Sequence, residues 1–259
     1  MTKMIKKKPA VTALVDADII LHRALSFTDD EFDGEPIVST SQGESVFDSM
    51  LERWLKEASE YFTITDHILY LSKGHSFRKL IYEPYKANRK DITPHPSFSA
   101  LKERIYGRSN VTFAAGIEAD DLIGVEATSP ENKDRVIMLS ADKDFKTLPG
   151  VLIIPASHGK TKCSVFNTSV LEANYNWMRQ TLTGDVIDNF PGLAGIGPAK
   201  ANKILEGKKS LNDMWTAVQD AFIQKGKTRD DALLMARLAR ILRHGDYNPK
   251  TNEVFLWQE

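Results

Sequence analysis

Val136-Ile137-Met138-Leu139-Ser140-Ala141-Asp142-Lys143-Asp144 is a run of four apolar residues followed almost at once by two acids. An apolar run this short, bounded by small and charged residues, reads as a strand buried on both faces, with the acids just beyond its carboxyl end. The same pattern recurs at 11–15, which ends at Asp16 with Asp18 next, and at 111–115, which precedes Glu118-Ala119-Asp120-Asp121; further apolar runs lie at 68–71 and 151–154. Helical spacing fills 46–62 and 119–127 between them. This alternation predicts an α/β fold, a mostly parallel central sheet flanked by helices. In such sheets ligands collect at the carboxyl ends of the strands.

From about residue 168 the β signal fades, and 170–182, 199–205, 211–222 and 229–242 carry helical spacing. Two regions are therefore expected: an α/β region over 1–167 and a helical region over 168–259. The stretch 73–107 is rich in Lys, Arg, Tyr and Pro and too long and polar for an ordinary crossover, so it is expected to stand away from the core.

Nine acids sit at four strand ends or turns: Asp16 and Asp18; Glu118, Asp120 and Asp121; Asp142 and Asp144; Asp185 and Asp188. The i, i+3 spacing of the last pair predicts one helical face. An isolated Asp at a strand end is an ordinary helix cap or turn former. Nine along one sheet edge would repel one another strongly without compensating cations, and hard oxygen ligands suit Mg²⁺ or Mn²⁺. Cys163 is the only cysteine, which excludes an internal disulfide and a thiolate cage, so a metal must be held by oxygen or histidine. A Ser-His-Asp hydrolase is unsupported, because His22, His67, His75, His95, His158 and His244 show no motif around a candidate serine.

The 259 residues are 42% hydrophobic, enough for a sizeable core. With 34 basic and 35 acidic residues the net charge is -1, which does not announce a polyanionic partner; distribution matters more than the total. Lys6, Lys7 and Lys8 read as a solvated tail. No apolar run approaches the roughly 18 residues that span a bilayer, and the first residues lack a signal peptide's apolar core, so the cytoplasm is the expected location and no membrane partner is expected.

Two stretches suit a nucleic acid. Ser76-Phe77-Arg78-Lys79 and Tyr85-Lys86-Ala87-Asn88-Arg89-Lys90 mix basic heads with aromatic rings, as phosphate pairing and stacking on unpaired bases require. Gly192-Leu193-Ala194-Gly195-Ile196-Gly197-Pro198-Ala199-Lys200 has glycines for a tight turn and a helix starting near Pro198. Backbone amides at such a start bind phosphate, and turn carbonyls bind a monovalent cation.

Five motifs in order, Leu14-Val15-Asp16-Ala17-Asp18, Tyr85-Lys86-Ala87-Asn88-Arg89, Glu118-Ala119-Asp120-Asp121, Ser140-Ala141-Asp142-Lys143-Asp144-Phe145 and Gly184-Asp185-Val186-Ile187-Asp188-Asn189-Phe190-Pro191-Gly192, resemble those of the 5′-nuclease family of flap endonucleases and 5′→3′ exonucleases. The match covers roughly 11–205 and is most similar to the free-standing bacteriophage type, related to the 5′-nuclease domain of bacterial DNA polymerase I. The resemblance implies a PIN-like fold and hydrolysis of DNA phosphodiesters by a metal-activated water. It implies two or more Mg²⁺ ions, with Mn²⁺ as a substitute. Asp16, Glu118, Asp120 and Asp142 would serve the first, and Asp144, Asp185 and Asp188 the second, with Asp121 near the boundary. Lys86 and Arg89 would contact the scissile phosphate, and Arg23, seven residues after Asp16, matches a further basic position of the family's catalytic set. A helical arch at 73–107 would add Arg78, Lys79, Tyr85 and Lys90 as DNA contacts.

The resemblance also implies a helix-three-turn-helix at 185–206 that grips duplex DNA through Gly192, Gly195, Gly197 and Lys200, with K⁺ at the turn. The implied partner is DNA with 5′ ends, flaps or junctions, and also the RNA of RNA–DNA hybrids; the protein would be a monomer. In one departure, Ser72 stands where the family usually has an acid of the first metal site, and Asp18 is the neighbour that would compensate. Two rivals remain at this level: a PIN-type ribonuclease, and a DNA-junction binder without catalysis.

Overall fold

The computed structural model describes residues 8–25, 39–89, 94–157 and 162–259. Strands β1 (Ala10–Asp16), β2 (Thr63–Tyr70), β3 (Val111–Thr112), β4 (Val136–Leu139), β5 (Gly150–Ile154) and β6 (Ser164–Thr168) form one sheet in the order β3-β2-β1-β4-β5-β6. The first five are parallel and β6 runs antiparallel on β5. Val15 pairs with Leu69 on one side and Leu139 on the other, so β1, β2 and β4 end level. That register brings Asp16, Ser72 and Asp142 to one rim.

Alternation within the strands divides the core. Ala13, Val15, Ile137 and Leu139 face a layer that includes Phe47 and Trp54 of α2 (Thr40–Ser59) and Leu101 and Ile105 of α4 (Phe98–Tyr106). Leu14 and Met138 face the opposite layer, with Ile123 of α5 (Ala119–Ala127) and with Ile241 and Leu242 from the far end of the chain. The short helix α1 (Ala17–Ala24) leaves β1 directly and buries Ile20 and Leu21. A third core belongs to the helices α6 (Val170–Thr183), α7 (Pro198–Leu205), α8 (Leu211–Gln224) and α9 (Arg229–Ala239). There Trp257 stands edge-on to both Trp177 and Trp215, 4.9 Å between centroids in each case. The chain closes with a small hairpin, β7 (Tyr247–Asn248) and β8 (Glu253–Val254).

Several elements differ from expectation. Helix α2 begins six residues before the expected 46, because Ser39 and Gln42 form a reciprocal capping box. Only two residues of 111–115 pair as strand, and β6, with its mixed polar and apolar residues, carried no buried-strand signal. Residues 185–190 are a closed turn: the amide of Asp185 donates to Phe190 O at 2.9 Å and that of Phe190 to Asp185 O at 3.0 Å. The shared helical face expected for Asp185 and Asp188 is therefore replaced by an Asx turn, in which Asp185 Oδ1 accepts from the amides of Ile187 and Asp188.

The segment 73–107 does not stand away from the core. Arg78 opens the short helix α3 (Arg78–Ile81) and is buried; Tyr85 joins the helical core, and Leu101 and Ile105 join the sheet core. Residues 90–93, Lys90 among them, lie outside the described residues, as do Lys6, Lys7 and His158.

Candidate metal centre

The level strand ends build a cleft of about 650 Å³. Asp16 and Asp18 enter it from the β1–α1 junction, Asp142 and Asp144 from the turn after β4, Glu118 and Asp120 from the start of α5, and Asp185 and Asp188 from the 185–190 turn. The structure thus brings together eight of the nine acids. The ninth, Asp121, is wholly buried behind them.

Internal cations sort these acids into two sets. Arg78 donates to Glu118 Oε2 at 2.7 Å and forks onto Asp121 at 2.7 and 2.8 Å. Lys86 bonds Glu118 and lies 3.6 Å from Asp188, to which Arg89 also donates at 2.8 Å. Glu118 further accepts from the Ser76 hydroxyl at 2.7 Å and the Tyr85 hydroxyl at 3.1 Å. Burial alone would raise the Glu118 pKa, but Lys86 and Arg78 bring it down to about 2. Among the described residues, Asp16, Asp18, Asp120, Asp142, Asp144 and Asp185 have no ion pair.

Four of these acids, Asp16, Asp120, Asp142 and Asp144, are raised in pKa by burial and by neighbouring carboxylates. Burial and then Asp18 push Asp16 up to about 7, against the downward pull of the Ser140 hydroxyl that donates to it at 2.8 Å. Burial and then Asp142 push Asp144 to about 7, although Gln180 donates to it at 2.8 Å. Asp120 is raised well above the carboxylate range by burial and by Asp121 and Glu118, and Asp142 is raised by burial and by Asp188 and Asp185. Buried carboxylates that destabilise one another's charged forms, with hard oxygens turned into one cleft, fit a divalent cation. Ligands from this set would be Asp16, Asp120, Asp142, Asp144 and Asp185.

Three expected roles change. Glu118, Asp120 and Asp121 offer oxygens within 4.8 Å of one another, but both oxygens of Asp121 are consumed by Arg78 and by the Leu242 amide, so Asp121 is a counter-ion and not a metal ligand. Arg78 is 2% exposed with its guanidinium saturated, and is not a DNA contact. The Tyr85 ring, also 2% exposed, offers no stacking face; its hydroxyl spans Glu118 and Asp188 instead. Burial cannot be read from a mixed basic and aromatic segment, which is why both looked like surface residues.

Lys86, Lys79 and Arg89 do line the cleft. Lys86 holds a left-handed φ of 53°, and its amide donates to Asp188 O at 2.9 Å. Arg23 is half-buried on α1 and does not line the cleft, whereas His22 beside it does. Gly195 and Gly197 lie at the exposed turn before α7, where Lys200 Nζ donates to Gly195 O at 2.9 Å and no side chain caps the helix. Gly192 instead packs inside the loop, its Cβ position only 2.2 Å from Gly184 N. Sequence reasoning missed Ser140, Ser76 and Gln180, which orient the acids. Ser140 stood within a quoted motif, whereas Gln180 had only its helical spacing.

Ser72 lines the same rim. Its hydroxyl accepts from the Ala119 amide at 2.9 Å, and its own amide donates to Asp18 Oδ2 at 2.9 Å. Asp18 is thereby held beside the position where an acid was expected.

Residues 11–175 match the family model described as 5′-3′ exonuclease, N-terminal resolvase-like domain. The exonuclease of Escherichia phage T7 is 24% identical over 223 residues, 74% of this chain and 73% of its own. A flap endonuclease Xni from Shewanella woodyi is 29% identical over 177 residues, 63% of this chain and 68% of its own. A T5 5′-exonuclease solved with divalent zinc ions superposes with a TM-score of 0.62 at 17% identity, covering 89% of each chain, which shows the common fold.

Proposed function

Because the chain belongs to the 5′-3′ exonuclease family, we propose that it is a metal-dependent 5′ nuclease that hydrolyses DNA phosphodiesters at 5′ ends, flaps or junctions. The observation that carries this reading is a set of six carboxylates without ion pairs among the described residues, lining one cleft together with Lys86 and Arg89. A cleft lined by both acids and cations suits a phosphate that must meet metal and protein charge together.

Two or more Mg²⁺ ions, replaceable by Mn²⁺, are the cofactors this donor set favours; when bound they neutralise charge on the phosphate and activate water for attack. The chain's own residues do the rest. Lys86 and Arg89 bind and orient the scissile phosphate, which draws them off Glu118 and Asp188. Ser140 and Gln180 hold Asp16 and Asp144 in place. The uncapped amides of α7, Lys200 and the open glycines Gly195 and Gly197 present a surface almost without side chains, suited to duplex backbone and indifferent to sequence, with K⁺ as the cation for the turn carbonyls. The RNA of RNA–DNA hybrids is a further substrate by the same backbone logic. We read the protein as a cytoplasmic monomer; among the described residues no helix is long and apolar enough to cross a membrane.

The test is to supply a 5′-labelled flap, a nicked duplex, a blunt duplex and a single-stranded RNA with Mg²⁺, and then with chelator. Chelator-sensitive cleavage of at least one 5′-ended DNA is expected. Cleavage of the RNA alone would favour the ribonuclease reading, and no cleavage of any substrate would favour a binder.

A further inference from the structure

Arg78 uses every donor it has. Nε donates to Leu238 O at 3.1 Å, Nη1 to Glu118 Oε2 and Asp121 Oδ2 at 2.7 Å each, and Nη2 to Asp121 Oδ1 at 2.8 Å and Arg240 O at 2.5 Å. Five N–H groups meet five acceptors, which a guanidinium can do and an ammonium cannot. The acceptors come from two places. Glu118 and Asp121 flank the first turn of α5, three residues apart and on one face. The carbonyls of Leu238 and Arg240 belong to the end of α9, where a helix leaves acceptors without intrahelical partners.

Asp120 lies between Glu118 and Asp121 in sequence, and it has no ion pair among the described residues. The fork holds Asp121 wholly buried behind the cleft, and Asp120, the residue before it on the same turn, lines the cleft beside Glu118. The fork therefore sets the rotation of the first α5 turn, and α9 anchors the fork. The Leu242 amide donates to Asp121 Oδ1 at 3.0 Å, a second tie from the same end of the chain.

We propose that Arg78 is a positioning residue through which the end of α9 aims Asp120 into the metal cleft, so that divalent-metal affinity depends on the guanidinium fork. The proposal rests on the metal reading of the cleft.

The measurement is Mn²⁺ binding to the intact protein without DNA, followed by loss of the free-ion paramagnetic signal. Arg78→Lys keeps the charge and loses the fork, and its Mn²⁺ dissociation constant is expected to rise at least tenfold. Should Arg78→Lys fail to fold, Arg78→Met combined with Asp121→Leu removes both buried charges with similar volume, a replacement buried ion pairs often tolerate. The same tenfold weakening is expected there. Wild-type Mn²⁺ affinity in either folded variant overturns the proposal. Loss of duplex affinity in the absence of divalent metal, with Mn²⁺ binding intact, would overturn it too and return Arg78 to DNA contact. If the wild type itself binds no Mn²⁺, the metal reading fails and the proposal falls with it.

Discussion

At the scale of the residue, what separates one acid from its neighbour is the company it keeps. Asp120→Ala and Asp142→Ala each remove a carboxylate without an ion pair, and are expected to lower turnover more than tenfold with junction binding largely intact, since the metal we propose they hold would supply several kcal/mol of transition-state stabilisation. Single-turnover cleavage beside binding in Ca²⁺ checks this, and more than a tenth of wild-type turnover in both variants would contradict it. Asp121→Ala belongs to a different class: it leaves the buried Arg78 with Glu118 as its one remaining carboxylate partner and two N–H groups without acceptors, so stability should be lost in denaturant titration. The raised pKa values of Asp16 and Asp144 have a consequence of definite sign. A carboxyl raised from 3.8 to about 7 by folding favours the fold while protonated, so its contribution is complete below the unfolded value and is lost as pH rises toward the folded one. In chelator the melting temperature is expected to fall as pH rises through that interval, and Mg²⁺ should recover more of it at the alkaline end; a recovery independent of pH would count against the assignment. Ser72→Asp adds the missing charge beside Asp18, and is expected to lower the Mg²⁺ concentration for half-maximal cleavage, whereas Ser72→Ala changes it little. A magnesium titration showing an unchanged or higher requirement for the Asp variant would mean that Asp18 already fills that role. These roles were partly legible in the sequence. Strand-end spacing pointed to seven of the nine acids, with Asp185 and Asp188 singled out by a spacing that proves to be a turn, and nothing local distinguished Asp120 from Asp121, because the difference lies in Arg78, some forty residues away in the chain.

Elements were legible where periodicity was strong and local. The strands β1, β4 and β5 and the helix α5 were placed within a residue or two, since buried parallel strands read as apolar runs and α5 opens directly after its own acidic motif. The loop from 184 to 192 was misread, because i, i+3 spacing fits a turn as well as a helix, and only the paired close approach of Gly184 and Gly192 decides between them. A Cβ at Gly192, where φ is 59°, would meet Gly184 N at 2.2 Å and Thr183 C at 2.6 Å. Gly192→Ala is therefore expected to distort the loop that presents Asp185 and Asp188, and to cost turnover and thermal stability together. Gly197 has φ −89° and open space around its Cβ position, so Gly197→Leu should leave stability unchanged and weaken duplex affinity alone. Melting curves and Ca²⁺ binding isotherms separate the two; equal losses in both quantities for both variants would dissolve the division of labour. The segment 73–107 misled for the opposite reason: its polarity suggested solvent throughout, yet Arg78 is buried and Lys86 pairs with Glu118.

For the whole molecule, the net charge of -1 conceals a polarity in which acids fill one cleft and cations stand against them. The sequence reading separated 1–167 from 168–259, but contacts cross that line. Ile241, Leu242 and Tyr247 pack in the sheet layer with α5, and Arg78 reaches the end of α9. A fragment ending at residue 167 is accordingly expected to lack cooperative unfolding by circular dichroism and to bind no Mn²⁺; a sharp transition would show that the sheet layer stands without its C-terminal cover. The tryptophans are distributed just as unevenly. Trp177, Trp215 and Trp257 share the helical core, while Trp54 sits alone behind the sheet, its indole N–H without a partner. Ultraviolet emission from this protein is therefore dominated by one half of it, and a chain with Phe at 177, 215 and 257 would leave a single fluorophore to report, by its colour, when water first reaches the other.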